Sequence, residues 1–117
     1  MHLRNGGELI GIRINLKIEI MKALSKSEIK ELLSAKFADW TFEETYISRE
    51  LKFKSFVEAF SFMTAIALEA EKMNHHPDWS NVYNTVVIKL NTHDANGITK
   101  TDFDLAAVID RIFKYYA

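Results

Sequence analysis

The chain contains no cysteine. That excludes disulfide scaffolds, thiolate catalysis and every cysteine-based zinc or iron–sulfur centre. Proline occurs once and glycine four times in 117 residues, which leaves little material for a flexible linker. There is no internal repeat and no low-complexity segment. No apolar run approaches the ~20 residues that a membrane helix needs. The N-terminus lacks the charged-then-apolar layout of a secretory signal. A cytoplasmic protein with no membrane partner is therefore expected. Neither sign of charge dominates, since 15 Lys and Arg face 16 Asp and Glu for a net charge of -1. No broad basic face is available, so no direct nucleic-acid partner is expected.

What is present is ordinary in bulk, with 48% hydrophobic and 26% charged residues. That suits one domain, just large enough for a real core. Residues 10–20 alternate strictly, with Ile10, Ile12, Ile14, Leu16, Ile18 and Ile20 on one face. Period two predicts a half-buried strand. Ser25 and Glu28 have capping-box spacing, with Leu24 and Ile29 as a hydrophobic staple, and Ile29, Leu32, Leu33 and Phe37 continue at helical spacing. Trp40 with Phe42 suggests one short strand, and Ile47, Leu51 and Phe53 a second. Residues 55–73 predict the strongest helix. Its stripe runs through Phe56, Phe60, Met63, Ala67 and Ala70, with Val57, Phe62, Ile66 and Leu68 apolar beyond it. A helix this apolar cannot hide against one sheet, so a subunit interface near Phe62 or Ile66 is expected.

Residues 80–92 alternate again through Val82, Val86, Ile88 and Leu90, either as one long strand or as a hairpin turning at Asn84-Thr85. Asn96-Gly97 marks a loop. Thr99 and Asp102 open a last helix with Leu105, Val108, Ile109, Ile112 and Tyr116 on its stripe. The fold class is thus α+β. A four-stranded antiparallel sheet carries three helices on one face, with a possible extra N-terminal strand. The domain division expected is 1–20 as an extension and 21–117 as the folded unit.

Three of the four histidines bracket one strand-like stretch: His75 and His76 before it, His93 after it. Adjacent histidines in a loop are more often surface or hydrogen-bonding residues than catalysts. Here they sit where a helix ends and Pro77 stiffens the turn, a usual place for site residues. His93 ends a strand beside another loop, so all three are placed to line one cleft at the sheet edge. Imidazoles exchange protons near neutral pH without help, so acid–base chemistry is the first expectation. A metal site is the weaker expectation. Adjacent histidines point apart, and the nearest carboxylates, Asp78 and Asp94, look like turn residues. His2 lies in a polar stub and has no assigned role. Asp102 reads first as a helix cap. Trp79 and Tyr83 read equally well as sheet residues or as flat walls for an aromatic ligand.

The pattern Glu71, three spacers, His75-His76-Pro77, the aromatic Tyr83, then His93 and Asp102 resembles the pterin-4a-carbinolamine dehydratase family. Looser similarity runs from about Leu24 to the C-terminus, including Phe62-Met63-Thr64 and Leu105-Ala106. Residues 1–20 have no counterpart in the resemblance. It implies an enzyme that dehydrates a 4a-hydroxytetrahydropterin to the quinonoid dihydropterin, recycling the pterin after aromatic amino-acid hydroxylation. It implies His75, His76 and His93 as catalytic residues, and Glu71, Pro77, Trp79 and Asp102 as supporting or substrate-binding residues. It implies no metal and no organic cofactor, and a homodimer or homotetramer associating through helices. The rival function it implies is a dimerisation cofactor of a transcription factor, acting through the same helical surface.

Overall fold

The computed structural model describes residues 22–117. The N-terminal strand expected at 10–20 and the extension boundary at residue 20 lie outside the described residues. The described chain runs α1 (Lys26–Lys36), β1 (Thr41–Glu43), β2 (Tyr46–Lys52), α2 (Phe56–Met73), β3 (Asp78–Val82), β4 (Thr85–Leu90), a short 3₁₀ turn (His93–Ala95) and α3 (Lys100–Phe113).

Each helix starts where its capping residues place it. The Ser25 hydroxyl accepts from the Glu28 N–H, and the Glu28 carboxylate accepts from the Ser25 N–H, completing the capping box of α1. The bond from the Ser25 backbone N–H, helped by the Ser25 hydroxyl, holds the Glu28 carboxyl below its ordinary range. Ser55 caps α2 by accepting from the Glu58 N–H. Asn74 ends α2 in the left-handed conformation, which asparagine tolerates better than most residues.

The four strands form one antiparallel sheet in the order β1-β2-β4-β3. Register sorts the side chains. Phe42 lies opposite Ile47, Ile47 opposite Leu90, Leu51 opposite Val86, and Trp79 opposite Ile88. These face the helices and join Phe62, Ile66, Leu105 and Ile109 in the single core. Thr41, Ser48, Glu50, Lys52, Ser80 and Lys89 occupy the other face, which faces solvent. That face is mainly polar, with Tyr46, Val82 and Val87 as its apolar exceptions, the layout the alternation requires. Arg49 breaks the rule, because it shares the inner face with Ile47 and Leu51. It is tolerated because Asp110 of α3 pairs with it at 2.5 Å and its guanidinium lies over the Phe113 ring. Asp110 also accepts from the Trp40 indole at 2.9 Å.

Two expectations are corrected. Phe62 and Ile66 are fully buried in the core and cannot lie at a subunit contact. The inward stripe of α2 is Ala59, Phe62, Ile66 and Ala70, while Phe56, Val57, Phe60 and Leu68 are exposed. Both stripes are apolar at helical spacing, so periodicity alone does not tell which meets the sheet. The β3–β4 turn is also one residue earlier than expected. Val82 pairs with Thr85, which puts Tyr83 and Asn84 in the turn, with Tyr83 at φ 52°. Asn81 stabilises this geometry by donating to the carbonyls of Tyr83 and Thr85. Asn84 ties the turn to β2 by donating to the Phe53 carbonyl.

Candidate active site

Three chain segments meet at one edge of the sheet. The end of α2 brings Asn74, His75 and His76. The end of β4 brings Asn91 and Thr92, and the 3₁₀ turn brings His93 and Asp94. Together these seven residues line an open cleft of about 250 Å³. The three histidines, separated in sequence by a whole hairpin, share it.

Local backbone geometry aims the histidine pair. After the left-handed Asn74, the His75 N–H returns to the Ala70 carbonyl at 3.0 Å, closing the helix in the manner of a Schellman turn. The chain then extends into β3, so consecutive side chains diverge. His75 turns inward, with its side chain 14% exposed, and His76 turns outward at 60%.

His75 meets a carboxylate. Its Nε2 lies 2.5 Å from Asp102 Oδ1, and Asp102 is fully buried at the start of α3. The other carboxylate oxygen accepts from the Thr99 N–H at 2.9 Å and the Thr92 hydroxyl at 2.8 Å. Asp102 is therefore satisfied by three donors. With the carboxylate ionised, which only accepts, and the ring neutral, the His75 Nε2 carries the proton of that bond and Nδ1 is left with the lone pair. His76 Nε2 lies 2.9 Å from the Glu71 carboxylate, at the surface. His93 is exposed on the 3₁₀ turn.

The supporting residues take different places. Glu71 contacts His76 from the last turn of α2. Pro77 is half-buried between the pair and β3. Trp79 is half-buried on the inner face of the sheet, packed against the core opposite Ile88, and does not line the cleft. Tyr83 stands exposed in the β3–β4 turn. Asp102 is enclosed behind His75 and has no surface to offer a substrate, which corrects the expectation of direct binding there. In the sequence Thr92 reads only as strand and Thr99 only as a cap. The signal for Thr99 was its spacing to Asp102. Nothing local marks Thr92.

Among the described residues, no three His, Asp or Glu side chains gather in a metal-binding arrangement. Larger concavities exist, such as the groove of about 510 Å³ lined by Leu32, Phe37 and Phe103. It is mostly apolar, whereas the histidine cleft concentrates the groups that exchange protons near neutral pH.

The family model for pterin 4 alpha carbinolamine dehydratase matches residues 22–112. The chain belongs to the pterin-4a-carbinolamine dehydratase family. That class of dehydratase is a hydro-lyase. A relative in Prochlorococcus marinus subsp. pastoris, named for pterin-4-alpha-carbinolamine dehydratase, is 55% identical over 78% of this chain and 94% of its own length. A relative in Solibacter usitatus under the same name is 54% identical over 76% of this chain and 93% of its own. The crystal structure of a transcriptional coactivator/pterin dehydratase from Brucella melitensis superposes with a TM-score of 0.74. It is 42% identical and covers 78% of this chain and 98% of its own. A pterin dehydratase-like protein described as a RuBisCO assembly factor of the alpha-carboxysome has a TM-score of 0.53. It is 19% identical, over 62% of this chain and 84% of its own, so the likeness is one of fold alone. No helix of the described residues is long and apolar enough to cross a membrane.

Proposed function

We propose that this chain dehydrates a 4a-hydroxytetrahydropterin to the quinonoid dihydropterin, with His75, His76 and His93 as its acid–base groups. The observation that carries the reading is the convergence of three imidazoles on one cleft, with a buried carboxylate behind one of them. The reaction breaks the C4a–O bond and forms a C4a=N5 double bond. One proton leaves N5, and one is delivered to the departing hydroxyl, which leaves as water. No electrons are exchanged, so the step asks only for a base and an acid near neutral pH.

His75 suits the base. Asp102 fixes its orientation and tautomer, leaves Nδ1 to take the N5 proton, and faces the positive charge that then forms. His76 and His93, both exposed, suit delivery of a proton to the leaving hydroxyl and its replenishment from water. Trp79 is not a wall of the cleft in this reading, and Glu71 acts by orienting His76. In the cell the activity would act in the cytoplasm, returning pterin oxidised by an aromatic amino-acid hydroxylase. A homodimer or homotetramer would cover the exposed Phe56, Val57 and Phe60 of α2. That same apolar patch supports a second reading, in which the chain also docks another protein; the Brucella relative's name calls it a transcriptional coactivator.

The test is turnover of the 4a-carbinolamine by the purified chain, followed by absorbance. His76→Ala combined with His93→Ala should lose most of the rate while remaining folded, since each acid–base group contributes ~10²–10⁴-fold. Wild-type turnover in the double variant would sink the assignment.

A further inference from the structure

Behind the cleft lies a buried hydroxyl that the proposed reaction does not touch. Thr99 is fully buried, and its hydroxyl lies 2.7 Å from the Thr92 hydroxyl. The Thr92 hydroxyl lies 2.8 Å from Asp102 Oδ2. Directions in this chain of bonds are forced. The Asp102 carboxylate accepts only, so Thr92 must donate to it. Having spent its one proton there, Thr92 can only accept from its neighbour, so Thr99 donates to Thr92. The Thr99 backbone N–H donates to the same carboxylate oxygen at 2.9 Å. Thr92 and Gly97 pair as a backbone bridge, which clamps the base of the loop that carries His93.

We infer that Thr99, through Thr92, is a positioning residue for the dehydration. Its hydroxyl polarises and orients the Thr92–Asp102 bond, and Asp102 in turn holds His75 in the Nε2–H tautomer. The inference rests on the reading of His75 as the base. A bond in such a chain polarises the next one, and in a buried setting each is stronger than in water. Without the Thr99 hydroxyl, Thr92 is no longer held as a donor to Asp102 and can rotate away. Asp102 then loses one of its three bonds, and the carboxylate can swing relative to the imidazole. Because Thr92 and Asp102 both adjoin the histidine cleft, small rotations there reach both His75 and the His93 loop.

The test compares Thr99→Val, Thr99→Ala and Thr99→Ser in the full chain. Valine keeps the shape and removes the hydroxyl, alanine guards against poor packing of valine, and serine restores the hydroxyl. Circular dichroism and melting first establish that each variant folds. Turnover of the 4a-carbinolamine and nitrogen-15 NMR of the His75 ring are then read side by side. In a folded valine or alanine variant, kcat should fall on the order of 10-fold with KM little changed, as for other groups that orient a reacting histidine from behind. The His75 ring should also show a mixture of tautomers. Thr99→Ser should restore both. A folded variant without the hydroxyl that keeps wild-type kcat, or that loses rate while His75 stays in the Nε2–H tautomer, would overturn the inference. His75→Gln is the control for the reading beneath it. If that variant keeps wild-type turnover, His75 is not the base, and the failure belongs there rather than to Thr99.

Discussion

Asp102→Asn isolates the chemistry of one oxygen atom. The native carboxylate accepts from the Thr99 N–H and the Thr92 hydroxyl on Oδ2 and from His75 Nε2 on Oδ1. An asparagine amide can keep only one acceptor oxygen. Two donors occupy the Oδ2 position and one occupies Oδ1, so the amide oxygen should take the Oδ2 position and turn its NH₂ toward His75. Nε2 must then accept, and the ring proton moves to Nδ1. The nitrogen proposed to take the N5 proton is blocked, although the fold and the cleft keep their shape. Where the same change inverts the tautomer of a catalytic histidine, kcat falls by ~10⁴. A loss of ~10²–10⁴ is expected here, because His76 and His93 remain. Stability should fall less dramatically. The three charge-assisted bonds to the carboxylate become neutral ones, each weaker by roughly 1 kcal/mol, and the melting temperature falls by roughly 4–8 °C for each kcal/mol lost. Carbinolamine decay at saturating substrate, a thermal melt and the His75 ring nitrogens in NMR read the three quantities separately. Near-wild-type turnover by a folded variant whose His75 has switched tautomer would refute the role given to this pair.

The other expectations concern assembly, metal and boundary. Light scattering at micromolar concentration should give at least twice the chain mass, and Phe60→Asp should shift it toward one chain, since Phe60 is 57% exposed on the apolar face of α2; a native monomer at that concentration would refute the oligomer. Exhaustive chelation should leave turnover unchanged, and activity lost to chelator and regained with zinc would move the histidines to a metal site. A chain beginning at Met21 should fold and keep its turnover, because the family match begins at residue 22; loss of both would show that the preceding segment belongs to the core.

The elements were legible because their signals are local. Ser25 with Glu28 and Thr99 with Asp102 mark helix starts through bonds made within four residues. The alternation of Ile47 and Leu51 and of Val86, Ile88 and Leu90 is a property of the extended backbone itself. Three histidines around one hairpin were visible as candidates for the same reason, since an antiparallel hairpin returns its ends to one edge. The resemblance carried by Glu71, His75, His76, Pro77, Tyr83, His93 and Asp102 identified the family before any geometry.

What the sequence determined by itself was therefore the three helices, the α+β class and the histidine trio as candidates, while it left residues 80–92 open as one strand or two. Tertiary structure alone decided which side of each residue is used. Only packing shows that Phe62 and Ile66 face inward while Phe56 and Phe60 face out, because helical periodicity defines a stripe but not its partner. Only packing shows that Trp79 belongs to the core and not to the cleft. Asp102 changed most. In the sequence it is a helix cap; in the folded chain that same cap is pressed against His75, 27 residues away. The cap is local and so can be read from spacing. Its contact with an imidazole depends on how α3 docks beside the end of α2, a long-range arrangement for which no short window of residues holds the information.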